Sequence, residues 1–359
     1  MRTNFKRKIL SIDGGGIRGI IPAIVLNYIE ERTGKRIATM FDFIAGTSTG
    51  GILALGLTKR NSDSSINHEP EYTAAELVNF YRRYGQKIFN ENIPMYFDDL
   101  LQPKHNPQGK QEVLEELLGE AKVEDALREI FITSYDIEMR TPVFFTSNPN
   151  AEEIESFNSR KLCRGFKMFE AAMATSAAPT FFPPYQLEAG YNHHTDEGYY
   201  ALVDGGVFAN NPSSLAMMEA MISYKKKSEK DEELQRTDTL VVSLGTGSLT
   251  KKYKYRDAKN WGQIKWALPL LNVVFDGQSE AVAYQLQQLM MNKGDNRNYY
   301  RFQVPLSSDN GHDLMDNASP CNIDHLEKRG EKLIEHTKKD LDELCKLLKE
   351  NEDTELYSN

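Results

Sequence analysis

Phe41-Asp42-Phe43-Ile44-Ala45-Gly46-Thr47-Ser48-Thr49-Gly50-Gly51-Ile52-Leu53-Ala54-Leu55 is an apolar run that ends in Gly-x-Ser-x-Gly and passes into a small-residue helical pattern. Strand, tight turn and helix in that order are the context a nucleophile elbow needs, with Ser48 at its apex. Gly46 and Gly50 flank the turn, where neighbouring backbone has to pass too close for a Cβ. Ser48 then stands at a strand end and over the start of a helix, whose free N–H groups favour developing negative charge. An ordinary Gly/Ser turn would carry the same five residues. The flanking strand and helix patterns are what single this one out.

Upstream, strand, glycine loop and helix recur. Residues 8–12 read as a short buried strand, followed by Asp13-Gly14-Gly15-Gly16-Ile17-Arg18-Gly19. Pro22 then fits the start of a helix whose apolar face is Ile21, Ile24, Val25, Tyr28 and Ile29. The loop formally contains Gly-x-Gly-x-x-Gly, a dinucleotide signature. That reading needs an acidic residue about twenty positions on, ending a second strand. Residues 32–36 form a polar turn instead, and the next strand leads to Ser48. Three consecutive glycines can present several backbone N–H groups to one oxygen, as an oxyanion hole does. A plain tight turn is the other reading.

Downstream, Leu202-Val203-Asp204-Gly205-Gly206-Val207-Phe208-Ala209-Asn210-Asn211-Pro212 reads as a strand ending in an acid, then a sharp reversal. An acid at the carboxyl end of a strand lies where open α/β sheets build their sites. An Asx turn is the competing account. Residues 176–184 form a proline-rigidified loop whose Phe181 and Phe182 either line a pocket or close the core.

The remaining elements frame these three turns. Residues 59–72 read as an exposed loop, and Thr73 with Glu76 forms a capping box for a helix with face Leu77, Phe80, Tyr81, Tyr84 and Ile88. Residues 90–108 read as a long loop, a lid or a passive excursion, and Val113, Leu114, Leu117 and Leu118 mark a short helix. Strands are expected over 129–135, 142–146 and 239–244, an edge strand over 299–304, and a helix over 166–175. Residues 213–227 predict a helix with an apolar face of Leu215, Met218, Met221 and Ile222. Residues 261–275 hold both tryptophans and an apolar run interrupted by Pro269. A buried or subunit-contact element is favoured there over a membrane-surface helix. A helix capped at Asp324, with Glu327 completing the box, presents Leu326, Leu333, Ile334, Leu341, Leu344 and Leu348 on one face.

With 359 residues, 26% charged and 40% hydrophobic, the chain can bury a large core. Its net charge of -9 argues against a nucleic-acid binder. Cys163, Cys321 and Cys345 are too few and too scattered for a disulfide framework or zinc site. That fits a reducing compartment, and no signal peptide or membrane span is read at the amino end. A cytoplasmic protein, able to act on membranes from the surface, is expected.

Taken together, Asp13–Gly19, Gly46–Gly50 and Asp204–Gly206, with Ala174-Thr175-Ser176-Ala177-Ala178-Pro179 and Leu244-Gly245-Thr246-Gly247, resemble the patatin-like phospholipase family. The likeness covers roughly residues 8–250. It implies a three-layer α/β/α fold with a mostly parallel central sheet, the catalytic domain spanning 8–250 and a helical carboxyl-terminal region, 251–350, packed on it. It implies a Ser–Asp dyad with Ser48 as nucleophile and Asp204 as general base, and an oxyanion hole at Gly14, Gly15 and Gly16 with Arg18 beside them. A Ser-His-Asp triad through His193 or His194 is the alternative. The implied activity is hydrolysis of membrane phospholipid esters with peripheral membrane contact, no metal or cofactor, and no nucleic-acid polymer as partner. Two other readings stay open: a non-catalytic storage or lipid-binding member, and an effector switched on by a cyclic nucleotide, for which Lys251-Lys252-Tyr253-Lys254-Tyr255-Arg256 is a phosphate-binding candidate. A homo-oligomer is left open as well.

Overall fold

The central strands are apolar on both sides, and alternate residues feed two different cores. In β1 (Arg7–Ile12), Leu10 and Ile12 join one cluster and Ile9 the other. In β2 (Phe43–Thr47), Ile44 goes to the first cluster and Phe43 and Ala45 to the second. Strands buried on both faces belong in a mostly parallel sheet covered by helices on each side. That three-layer arrangement is found in the computed structural model, which describes residues 5–63, 69–90, 102–152, 159–189, 198–227, 233–249, 252–290, 297–307 and 311–350.

The other strands are β3 (Glu129–Asp136), β4 (Thr141–Thr146), β5 (Arg160–Leu162), β6 (Tyr185–Glu188), β7 (Tyr199–Asp204), β8 (Thr239–Leu244), β9 (Ser248–Leu249), β10 (Tyr299–Phe302) and β11 (Pro305–Leu306). Among the described residues the main sheet runs β10-β8-β1-β2-β3-β4-β5, and its first five strands are mutually parallel. β4 pairs antiparallel with β3, and β7 joins β3 antiparallel where β2 has ended. β10 occupies the edge beside β8, so residues past 250 complete the sheet.

One face carries the helices Ile20–Thr33, Thr49–Thr58, Ala74–Ile88, Pro107–Leu118 and Met168–Thr175, with Pro320–His336 and Lys338–Glu350 outside them. The other carries Ser213–Lys227 and part of Gln263–Met290. Helix Ile20–Thr33 lies between the sheet, helix Ala74–Ile88 and helix Pro320–His336, with Gly330 leaving room for Ile24. It is therefore buried on more than the one face its spacing predicts, and Ile20, Ala23 and Leu26 are buried too.

Several elements differ from expectation, each for a local reason. Asn106 caps a helix that begins at Pro107, so the predicted loop ends early; Pro at a first helical position forfeits no hydrogen bond. Helix Ser213–Lys227 buries Ala216, Met217 and Ala220, while Met218 and Ile222 are exposed. Small residues face the sheet because the helix lies close over β1 and β2. The carboxyl-terminal helix starts at Pro320 under a Ser319 cap rather than at Asp324, and Glu327 pairs with Arg82 instead of closing a box. A second helix follows it from Lys338. Pro269 does not end the helix around it, which continues from Gln263 to Met290. That helix is neither wholly buried nor covered, since Ile264, Leu270 and Val273 face solvent. No helix among the described residues is long and apolar enough to cross a membrane.

Candidate active site

The register of β3 brings Ser48 and Asp204 together. Thr47, the last residue of β2, pairs with Thr133, and the next residue of β3, Ser134, pairs with Asp204 at the end of β7. β7 enters from the opposite direction, so the two strand ends meet tip to tip along one side of β3. The sequence places both residues at carboxyl ends; the antiparallel approach is what makes them neighbours.

Ser48 adopts φ 54°, a left-handed conformation that is uncommon for a residue with a Cβ and frequent where a site holds strain. Its N–H donates to Thr175 Oγ1 at 2.8 Å, and that hydroxyl donates in turn to the Thr133 carbonyl at 2.6 Å. The turn closes because a Cβ on Gly46 would lie 2.2 Å from the Gly50 carbonyl oxygen, and one on Gly50 2.2 Å from that of Ile12. Asp204 is buried, accepts a hydrogen bond from the Gly206 N–H at 2.8 Å and lies beside the Ser48 hydroxyl. Burial pushes its carboxyl up to about 6, against the opposing pull of the nearby Ser48 hydroxyl, the Gly206 N–H and the Lys110 ammonium.

The glycine loop borders the same cleft. Gly15 and Gly16 line it beside Ser48, and neither N–H has a hydrogen-bond partner among the described residues. Gly14 differs from expectation: its N–H already donates to the Asn210 carbonyl at 3.0 Å, which leaves Gly15 and Gly16 as the candidate donors. Both of their peptide planes are held from behind. Thr246 Oγ1 donates to the Gly14 carbonyl at 2.6 Å, and Arg18 Nε donates to the Gly15 carbonyl at 3.2 Å. In a trans peptide the carbonyl and the following N–H point in opposite directions. Each of these bonds therefore turns one glycine N–H away from its anchor. Arg18 is buried and anchors the loop from within, its Nη1 reaching the Asp313 carbonyl at 3.4 Å. Asp13 is locked by a bidentate pair with Arg301, at 2.6 and 2.9 Å.

The cleft wall is apolar, with Ile52, Phe80, Phe89, Phe181, Phe182 and Phe275 among its residues. Phe181 and Phe182 thus line a pocket rather than merely closing the core. Lys110 also lines it, a residue that the sequence does not single out. It is buried, with Nζ donating to the Ser176 carbonyl at 2.9 Å and standing 4.0 Å from the Phe182 ring centroid. Burial pulls its ammonium down to about 7, partly offset by Asp204. Nothing local in the polar run Gln108-Gly109-Lys110-Gln111-Glu112 marks it, because helix Pro107–Leu118 turns that one position inward.

His193 and His194 lie outside the described residues, as do Lys251 and residues 91–101 of the expected lid. His105 is buried but bonds Asp316 and is not part of the cleft lining. Among the described residues no group of three or more His, Cys, Asp or Glu side chains could hold a metal ion.

The arrangement has a hydroxyl beside a buried carboxylate, two candidate N–H donors and an apolar cleft: the parts of an acyl-transfer site. The chain matches the family described as patatin-like phospholipase over residues 10–217. It is 32% identical over 342 residues to patatin group J-1 of Solanum tuberosum, across 91% of this chain and 83% of that protein. It is 34% identical over 338 residues to a Solanum tuberosum protein named probable inactive patatin-3-Kuras 1, across 91% and 86%. The solved structure of human GIVD cytosolic phospholipase A2 is similar more loosely, with 10% identity and a TM-score of 0.48 over 96% of this chain and 60% of that one.

Proposed function

The chain belongs to the patatin-like phospholipase family, a class of lipid acyl hydrolases, and from that premise we propose that it cleaves the ester bonds of membrane glycerophospholipids through Ser48 and Asp204. The observation that carries this reading is the Ser48 hydroxyl placed beside the buried Asp204 carboxylate in an apolar cleft. A serine hydroxyl is a weak nucleophile until a neighbouring base takes its proton. Asp204 is the base in contact with it, and a carboxyl raised to about 6 is still largely ionised at neutral pH while being basic enough to accept a proton.

Ser48 Oγ attacks the ester carbonyl carbon as its proton passes to Asp204. The oxyanion forms beside the N–H groups of Gly15 and Gly16 and the amino end of helix Thr49–Thr58, where positive potential is already oriented. The tetrahedral intermediate collapses, and the leaving lysophospholipid alkoxide takes the proton from Asp204. Water, deprotonated by the same carboxylate, then attacks the acyl-serine, and the intermediate expels Ser48 Oγ, which regains the proton. The aromatic wall accommodates the acyl chain.

The test is fatty-acid release from phospholipid by wild type, Ser48→Ala and Asp204→Asn, with and without cyclic nucleotides. Ser48→Ala is expected to lose at least about 10⁴-fold and Asp204→Asn about 10²–10⁴-fold. Full activity in Asp204→Asn would transfer the base role to a histidine. Nucleotide dependence in the wild type would assign the regulated effector. Silence of the wild type under all conditions would favour the non-catalytic reading.

A further inference from the structure

The long helix Gln263–Met290 has apolar side chains on two opposite faces. One face is seated in the chain: Phe275 lines the cleft, Leu286 and Met290 join the core over β1, and Gln278 and Ser279 bind Asn210. On the other, Trp266, Leu270 and Val273 follow one another at helical spacing and face solvent, with Leu270 51% exposed. A helix that is apolar on both sides is normally buried on both. Here the second partner has to come from outside the described fold.

The preceding segment says what that partner is. Between residues 252 and 275 there are five basic side chains (Lys252, Lys254, Arg256, Lys259 and Lys265) against one acid, Asp257, a net of +4 in a chain that totals -9. All five basic residues are exposed. The aromatics among them are organised: Tyr253, Trp261 and Trp266 form an edge-to-face series with centroids 5.5 and 5.2 Å apart, and Tyr255 stands 82% exposed. Exposed Trp and Tyr, aliphatic side chains on one stripe and surrounding lysines match the interface of an anionic bilayer, where aromatic rings settle at headgroup level and cations meet anionic lipid. A second copy fits poorly, because a two-fold contact would set this positive segment against itself.

We propose that residues 252–275 are a docking surface for an anionic phospholipid bilayer, placed beside the cleft by the helix that also supplies Phe275 to its wall. Docking there holds the lipid surface on the outer face of the helix whose inner face walls the cleft. The purpose of the surface rests on the hydrolase reading; its existence does not.

The full-length protein is mixed with vesicles of phosphatidylcholine, with and without phosphatidylglycerol, and sedimented. Wild type is expected to pellet with the anionic vesicles and to be released as salt rises, since screening weakens the lysine contacts. Leu270→Glu/Val273→Glu is expected to bind about tenfold more weakly or worse and to lose vesicle hydrolysis in step. Its hydrolysis of a water-soluble short-chain aryl ester stays at the wild-type rate, since neither residue lines the cleft. Equal binding to neutral and anionic vesicles, or undiminished binding by the double variant, overturns the proposal. So does a wild-type dimer that the same substitutions convert to monomer in sedimentation velocity, which would make a second copy the occupant. If the wild type binds anionic vesicles and the variant does not, while neither cleaves the soluble ester, the docking surface stands and the hydrolase reading fails.

Discussion

The glycine loop 13–19 and the long helix Gln263–Met290 border one cleft and are built in opposite ways. In the loop, polar groups are held by fixed partners: Thr246 on the Gly14 carbonyl, Met315 on the Ile17 N–H and Arg301 on the Asp13 carboxylate from far along the chain, and Arg18 on the Gly15 carbonyl from within the loop. What remains unpaired there, the N–H groups of Gly15 and Gly16, is polar and aimed. In the first half of the helix the unpartnered groups are apolar side chains. A site that stabilises a developing charge needs fixed dipoles, because reorganising them during reaction would cost what they contribute. A site that meets a fluid surface needs area and charge rather than fixed geometry. The contrast predicts that substitutions in the loop act on every substrate, whereas substitutions on the exposed helix face act only on substrate presented in a bilayer.

The sharpest way to break it is Gly15→Ala. The new Cβ would lie 2.3 Å from Thr246 Oγ1 and 2.6 Å from its Cβ, so Thr246 must give way and release the Gly14 carbonyl. A loss of about 10²–10³-fold in kcat on the soluble aryl ester is expected, with little change in vesicle sedimentation. Normal turnover by this variant would mean that the loop does not hold the oxyanion. Thr246→Val keeps the shape and removes the donor alone, and kcat should fall about tenfold with KM held, because the orientation of the Gly15 peptide then rests on fewer anchors. A change confined to KM would place Thr246 in substrate binding instead.

The smallest effect is expected at Lys110→Met. If Asp204 is the proposed base it must be ionised to accept the Ser48 proton, so activity should fall as pH drops through about 6. Removing the neighbouring ammonium withdraws an influence that lowers the Asp204 carboxyl, so the acidic limb of the kcat/KM profile should move upward, by roughly a unit or less. A limb that stays in place would show that Lys110 serves packing against Phe182 rather than the electrostatics of the dyad.

The three turns were legible because each is a local event. Gly46, Gly50, Gly205 and the run 14–16 occupy places where a side chain would strike neighbouring atoms, and such places announce themselves in the sequence. What joins the turns was not legible. That Asp204 meets Ser48 depends on β7 pairing antiparallel with the stretch of β3 that β2 leaves free, a choice made by tertiary packing. Lys110 and Arg301 look like surface cations in the sequence and are turned inward by elements whose orientation is set elsewhere. On helix Ser213–Lys227, Leu215 and Met221 of the expected face pack against the core but Met218 and Ile222 do not, because larger apolar residues weigh more in a periodicity than alanines do, yet close approach to a sheet selects alanines. Pro269 reads as a helix stop, but it costs its helix a single bond in the first turns, where solvent can serve the freed carbonyl.

The ties on the glycine loop also set an order of assembly during synthesis. Ser48 and the loop leave the ribosome well before the groups that hold the loop, which come from residues 246, 301, 313 and 315. Asp13 waits for a partner 288 residues further along the chain. Until those residues emerge, the N–H groups of Gly15 and Gly16 lack part of their anchoring, and a nascent chain that already carries Ser48 would not yet hold the proposed oxyanion donors in place. On the hydrolase reading proposed above, the site would become competent only after residue 315 has emerged and joined the loop.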